Sequence, residues 1–311
     1  MNLQFAEEII EGLSSTPKHL SSKWFYDKIG DGLFVKIMNM PEYYLTDAEY
    51  EIFSKQTSAI LDEFEVNKSQ LELYELGAGD GTKTIQLLKA MDPKNFTYHP
   101  IDISENALNQ LQERLAKELP EVSVAPLQGE YFEVLESLSK NESKIILFLG
   151  SNLGNMHDDV AKQFIKQLAE QMQAGDKLLL GLDKMKSKAI ILPAYNDKQG
   201  CTEAFNLNLL SRINSEFDAD FNLAQFEHRP NYDEETGIAS SALVSKCKQT
   251  VNIKSLDKTF EFEENESIQT EISRKYSLDI LANVFSGSGL AIKKEFNDSR
   301  NYFMNVLLEK N

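Results

Sequence analysis

Two cysteines, four histidines and one tryptophan in 311 residues exclude several classes of protein at the outset. Cys201 and Cys247 are far apart and unrelated by ligand spacing, and His19, His99, His157 and His228 stand singly, so neither a disulfide framework nor a structural zinc site is expected. Positive charge is also scarce. Lys and Arg number 32 against 49 Asp and Glu, a net charge of -17, which repels nucleic-acid backbones and anionic membrane surfaces. No apolar run approaches the ~18 residues of a membrane helix. The start, "MNLQFAEEIIEGLSSTPKHL", has neither a basic leader nor an apolar core before a small-residue cleavage site, so a cytoplasmic protein is expected. No metal, nucleic-acid or membrane partner is expected, and the chain is read as a monomer.

What is present is 41% hydrophobic residues, enough for a large core, and no internal repeat or low-complexity linker. From residue 71, short apolar strands alternate with amphipathic helices, which marks a parallel α/β sheet. "LELYELGAG" reads as the first strand and "FTYHPIDIS" as the second. Between "IDI" and Pro120 a helix is expected, with Ser104 as N-cap and Leu108, Leu111 and Leu115 on one face. "VSVAPLQGEYF" reads as an interrupted third strand, "KIILFLGSNLGN" as a fourth running into a polar loop, and "KLLLGLD" as a fifth. The helix "DDVAKQFIKQLAEQMQAGD" between the last two has acids at its start and Gly175 at its end.

After Asp183 the rhythm breaks. "NLLSRINSEFDADF" reads as a helix, and "IASSALVSKCKQTVNI" and "KTFEFEENESIQTEIS" as antiparallel strands. The end of the chain returns to a helix and then a hairpin turning at "NDSR". The block between is an insert packed on the α/β core.

Gly77, Gly79 and Gly81 follow Glu75 at the end of the first strand, where residues without a Cβ let a ligand approach the main chain. A dinucleotide fingerprint needs G-x-G-x-x-G, but the residue three after Gly79 is Thr82, which weakens a nicotinamide reading. A plain strand-to-helix turn is the other alternative. An acid followed by G-x-G-x-G resembles the first motif of class I methyltransferases, which bind S-adenosylmethionine (SAM). That resemblance implies an α/β, Rossmann-like, seven-stranded sheet with Asp102 accepting hydrogen bonds from the ribose. Glu75 would act on the ligand's amino-acid portion indirectly. Lys83 is either a solvated charge or a contact to the cofactor carboxylate. Glu130 and Tyr131 in "GEYF" suit the adenine, although an aromatic there also serves as core.

A more specific likeness covers most of the chain. "SSKWFYDKIGDGLFVKIMNMPEYYLTDAEYEIF", "ELGAGDGTKT", "FLGSNLGN", "AYNDKQGCTEAFNLNLL" and "IQTEISRKY" resemble the histidine-specific Nα-methyltransferases of the ergothioneine pathway. The resemblance implies a SAM-binding core, residues 47–185 and 276–311, and an α+β substrate domain, residues 1–46 and 186–275. It also implies methylation of the α-amine of histidine, up to the trimethylated product hercynine, with S-adenosylhomocysteine (SAH) released. Carried over by position, Tyr43, Glu271 and Ser273 surround the imidazole, Asn155 and Tyr195 hold the substrate carboxylate and amine, and Tyr26 lies beside the amine. Gly77, Gly79, Lys83, Asp102, Glu130, Tyr131 and Gly150 form the cofactor set. Glu271 and Ser273, two apart on one strand, point to the same side and suit two ring nitrogens. Two departures stand out. Ser241 replaces the family's methionine against the imidazole, which is expected to widen and polarise the pocket, and Asn152 replaces a threonine. A different amino acid or a histidine derivative as substrate, or a non-catalytic ligand sensor, are the alternatives.

Overall fold

The computed structural model of the chain describes residues 2–65, 71–135 and 143–311. It resolves into two compact units, Leu45–Met185 with Arg274–Asn311, and Met1–Tyr44 with Lys186–Ser273.

The larger unit is built on one sheet. Its strands lie in the order Leu290–Asn297, Phe303–Lys310, Lys177–Asp183, Lys144–Phe148, Leu71–Leu76, Phe96–Asp102, and then an outer position shared by Ser123–Val124 and Leu127–Gln128. The closing hairpin is antiparallel and the rest is parallel, so the sheet is the α/β arrangement expected, with seven strand positions. Pro126 splits the outer strand because it has no N–H to give, which only a sheet edge tolerates.

Strands covered on both faces are wholly buried, as at Leu71–Leu76, Lys144–Phe148 and Lys177–Asp183. Charges within or beside them are paired rather than exposed. Lys144 Nζ meets Asp176 at 3.0 Å, and Lys275 meets Asp183 at 2.8 Å with both side chains fully buried.

Ser104 caps the helix Glu105–Glu118 by accepting from the Ala107 N–H at 3.1 Å, and Leu108, Leu111 and Leu115 are its buried face. The next long helix, Asp158–Glu170, stops five residues short of the expected Gly175. The Gln171 N–H donates back to Leu168 and Ala169, tightening the last turn, while Gly175 (φ 90°) shapes the later turn into Lys177. No helix among the described residues is long and apolar enough to cross a membrane.

The smaller unit is α+β. Its sheet runs Lys18–His19, Ser267–Arg274, Ile238–Ser245, Phe226–Asp233, and a separate hairpin joins Gln249–Ile253 to Lys258–Phe262. Each of the two strands expected after residue 237 is therefore two strands in two sheets. The polar breaks "KCK" and "EENE" divide them, with Asn265 in the left-handed region. The helix expected at 208–221 is Cys201–Phe217. It starts earlier because the Asp197 carboxylate accepts the Cys201 and Thr202 N–H groups at 2.9 and 2.8 Å, and it ends at Asp218 in left-handed geometry. Its Phe205 and Phe217 pack with Phe5, Trp24, Phe25 and Phe262 in the unit's core.

Candidate functional site

In an open parallel sheet, the ends of the strands release their loops on one edge, and ligands collect there. The first strand ends at Leu76, and the Gly77 and Ala78 N–H groups both donate to the Ile101 carbonyl, at 2.8 and 3.1 Å. The glycine loop is thereby laid across the end of the second strand. Asp102 fixes it there: one carboxylate oxygen accepts from the Gly79 N–H at 3.0 Å and the other from the Ser104 N–H at 2.9 Å.

The three glycines serve different ends. At Gly77 (φ 72°) a Cβ would lie 2.6 Å from the Tyr131 hydroxyl and 2.7 Å from Asn152 Nδ2, so Gly77, Tyr131 and Asn152 converge. At Gly79 (φ 52°) a Cβ would meet no atom within 4 Å among the described residues, which leaves the main chain open to a ligand. Gly81 faces inward: a Cβ there would strike Leu111 at 2.4 Å, so its role is to let the following helix pack.

Lys83 is not the solvated charge of one expectation. Its ammonium lies 2.6 Å from Glu49 and beside Gly150, where a Cβ would be 3.4 Å away. Burial works against the charge of Lys83, but Glu49 outweighs it and the ammonium is shifted upward. Glu130 precedes the short helix Tyr131–Leu135 and follows Gly129, whose N–H donates to the Asp102 carbonyl at 3.2 Å. The Tyr131 ring packs edge-on against Phe148 at 5.2 Å, and burial, then the charge of Asp102, push its hydroxyl upward. The structure thus brings Gly77, Gly79, Lys83, Asp102, Tyr131, Gly150 and Asn152 to one edge. Asn155 ends the short helix Asn152–Asn155 and is exposed; the cap of the following helix is His157.

Glu75 lies beneath the loop. It is 2% exposed, accepts from the Thr84 hydroxyl at 2.6 Å and from the Tyr98 hydroxyl, and burial pushes its carboxyl up to about 7 against those bonds. Its part is to brace the loop from below. The folded carboxyl keeps its proton to about pH 7, whereas the unfolded one releases it near 4.5, so its contribution to stability is fully present below 4.5 and lost as pH rises through 7. The melting temperature of the unliganded protein is expected to fall relative to Glu75→Gln as pH is raised from 4.5 to 7. A difference independent of pH contradicts this.

In the smaller unit, Tyr26 and Tyr43 both stand edge-on to Phe34, with ring centroids 5.6 and 6.4 Å away, and Tyr26 also meets Phe205 at 5.8 Å. Both tyrosines are partly exposed. Glu271 and Ser273 share a face of the strand Ser267–Arg274, Glu271 half-buried and Ser273 5% exposed. The neighbouring strand carries Ser241, whose carbonyl accepts from the Thr270 hydroxyl at 3.1 Å. Tyr195 follows the short helix Leu192–Ala194 and is 6% exposed.

Ser241 lies beside an imidazole of the chain itself. The residue is fully buried and its hydroxyl lies 3.1 Å from His228 Nε2, a diagonal neighbour across the strand pair. Burial pulls the His228 imidazole down to about 4 despite the charge of Asp197, so it is neutral at physiological pH.

Glu49, which sequence reasoning missed, had one visible signal: an acid set among Leu45, Ala48 and Ile52, the apolar stripe of the helix Tyr44–Phe64. Among the described residues no group of three or more histidines, cysteines or acids could hold a metal ion.

The model of a family described as histidine-specific, SAM-dependent methyltransferases matches residues 5–310. The histidine N-alpha-methyltransferase of Mycobacterium tuberculosis (strain CDC 1551 / Oshkosh) is 32% identical over 291 residues, 93% of this chain and 89% of that protein. The L-tryptophan methyltransferase trpM of Psilocybe serbica is 27% identical, covering 97% of this chain and 92% of that protein. Among solved structures, magnesium protoporphyrin IX methyltransferase from Synechocystis PCC 6803 with bound SAH shares the fold, with a TM-score of 0.51 at 11% identity, covering 92% of this chain and 97% of that one. The open main chain at Gly79, Asp102 beside it, and the match along nearly the whole length agree: the chain belongs to the SAM-dependent, histidine-specific methyltransferase family.

Proposed function

We propose that this protein methylates the α-amino group of histidine, in up to three successive transfers giving hercynine. The observation that carries the reading is the family match over residues 5–310. SAM, when bound, supplies a methyl group on a positively charged sulfur. The smaller unit, residues 1–46 with 186–275, is the substrate domain in this reading, and residues 47–185 with 276–311 are the donor domain.

Gly77, Gly79 and Gly150 clear the approach to the main chain for the donor. Asp102 takes its ribose hydroxyls, Lys83 its carboxylate, and Glu130 and Tyr131 its adenine. Tyr43, Glu271 and Ser273 hold the substrate imidazole, with Ser241 behind them. Asn155 and Tyr195 hold the substrate carboxylate and amine. The α-amine of a free amino acid is mostly protonated near neutrality, so a proton must leave before its lone pair can attack. The Tyr26 hydroxyl, partly exposed, relays that proton outward. The remaining work of these side chains is orientation and exclusion of water around the amine. The thiols Cys201 and Cys247 are both free, as suits a reducing cytoplasm.

A second reading, methylation of another amino acid, is favoured by Ser241 and by the relative named for tryptophan. Mass spectrometry of each of the twenty amino acids incubated with the protein and SAM separates the two. Methylated histidine as the dominant product is expected, and methylation of another amino acid with histidine untouched overturns the proposal.

A further inference from the structure

Glu49 is a carboxylate driven out of water. It sits on the apolar stripe of the helix Tyr44–Phe64 with no exposed surface, beside Ala48 and Ile52, which have none either. A charge so placed is costly unless every oxygen is bonded. One oxygen meets both the Lys83 ammonium at 2.6 Å and the Gly150 N–H at 2.9 Å; the other accepts from Asn305 Nδ2 at 3.0 Å. The strand Lys177–Asp183 is cut away to admit it. At Gly181 a Cβ would lie 1.9 Å from the Glu49 oxygen, so no side chain fits there.

The carboxylate therefore joins two loops that leave the same edge of the sheet: the glycine loop, through Lys83, and the loop after the fourth strand, through Gly150. The second loop needs the support. Gly150 and Ser151 are consecutive left-handed residues, with φ 70° and 59°, and Ser151 is held by the Asp183 N–H on its hydroxyl at 3.0 Å.

We propose that Glu49 is a positioning residue for the methyl donor, anchoring Lys83 against Gly150 and cancelling its charge so that the site accepts the cationic donor over the uncharged product. This rests on the reading above in which Lys83 meets the donor's carboxylate. The chemistry makes the consequence specific: SAM carries one more positive charge than SAH, on sulfur. With Glu49 intact, Lys83 offers N–H donors to a carboxylate without adding net positive charge. With Glu49 neutral, an uncompensated ammonium acts alike on the carboxylate that SAM and SAH share but also repels the sulfonium, a charge that SAH lacks. A purely structural carboxylate would weaken both ligands alike.

Calorimetry with SAM and with SAH on the folded protein tests this, melting temperatures being checked for each variant. Glu49→Gln keeps the size and an acceptor oxygen and removes only the charge. It is expected to raise Kd for SAM relative to Kd for SAH by roughly tenfold, the order expected for two unit charges about 10 Å apart at an effective dielectric of ~20. Adding Lys83→Met is expected to bring the ratio back. Should Glu49→Gln fold poorly, Glu49→Asp retains charge with a shorter reach, and both dissociation constants are then expected to rise with their ratio unchanged. An unshifted ratio in Glu49→Gln, a ratio that Lys83→Met fails to restore, or a shifted ratio in Glu49→Asp each overturns the inference. If Lys83→Met alone leaves both affinities unaltered, the assignment of Lys83 to the donor is what fails. If it weakens SAM while Glu49→Gln leaves the ratio alone, only the role of Glu49 fails.

Discussion

Glu271→Ala is expected to lower kcat/KM for histidine by about ten- to a hundredfold while leaving the dissociation constant of SAM unchanged. The magnitude follows from a hydrogen bond to a charged group, worth roughly 1.5–3 kcal/mol, at 1.36 kcal/mol per tenfold in rate. Glu271 is half-buried on a strand whose next residue on the same face, Ser273, is nearly inaccessible. An aliphatic substrate side chain in contact with such a carboxylate would strip its water and return no bond, so the wild-type protein is expected to reject leucine and Glu271→Ala to narrow that preference. A histidine rate unaltered by the substitution removes Glu271 from the substrate site. A parallel loss of SAM affinity turns the effect into one of folding rather than recognition.

Asp102→Ala is expected to raise the dissociation constant of SAH tenfold or more in calorimetry, on the same scale of ~1.5–3 kcal/mol for a charged partner. Two losses combine. The ribose loses its acceptor, and the Gly79 and Ser104 N–H groups lose theirs, freeing the loop whose left-handed glycines need an external hold. Asp102→Asn separates the contributions because it keeps one carbonyl oxygen for the Gly79 N–H, and its affinity is expected to fall between those of the wild type and the alanine variant. Unchanged affinity in both variants places the ribose elsewhere.

The sheet was legible because its signals are local. "KIILF" and "KLLLGLD" are apolar runs of strand length, Ser104 stands where a cap should, and "NDSR" turns a hairpin. The strand Phe226–Asp233 was not foreseen. Pro230 and the charges in "FEHRPNYD" speak against a strand, and they are tolerated because it is the outer strand of its sheet. The spacing of the glycine loop was readable, but spacing cannot separate Gly79, open to a ligand, from Gly81, which makes room for Leu111.

Partners distant in sequence were the least legible. Glu49 meets Asn305 across 256 residues, and His228 meets Ser241 only because the register of two strands makes them diagonal neighbours. A substitution such as Ser241 reads in sequence as lost volume. In the fold it is also one half of a hydrogen bond to His228.

The central claim is that the methyl group goes to the α-nitrogen of histidine. Incubation of the protein with histidine and SAM bearing a deuterated methyl group, followed by fragmentation of the product in the mass spectrometer, reads the site of transfer directly. The account predicts all label on the α-nitrogen and none on the imidazole. Label on a ring nitrogen, or histidine left without label, contradicts it.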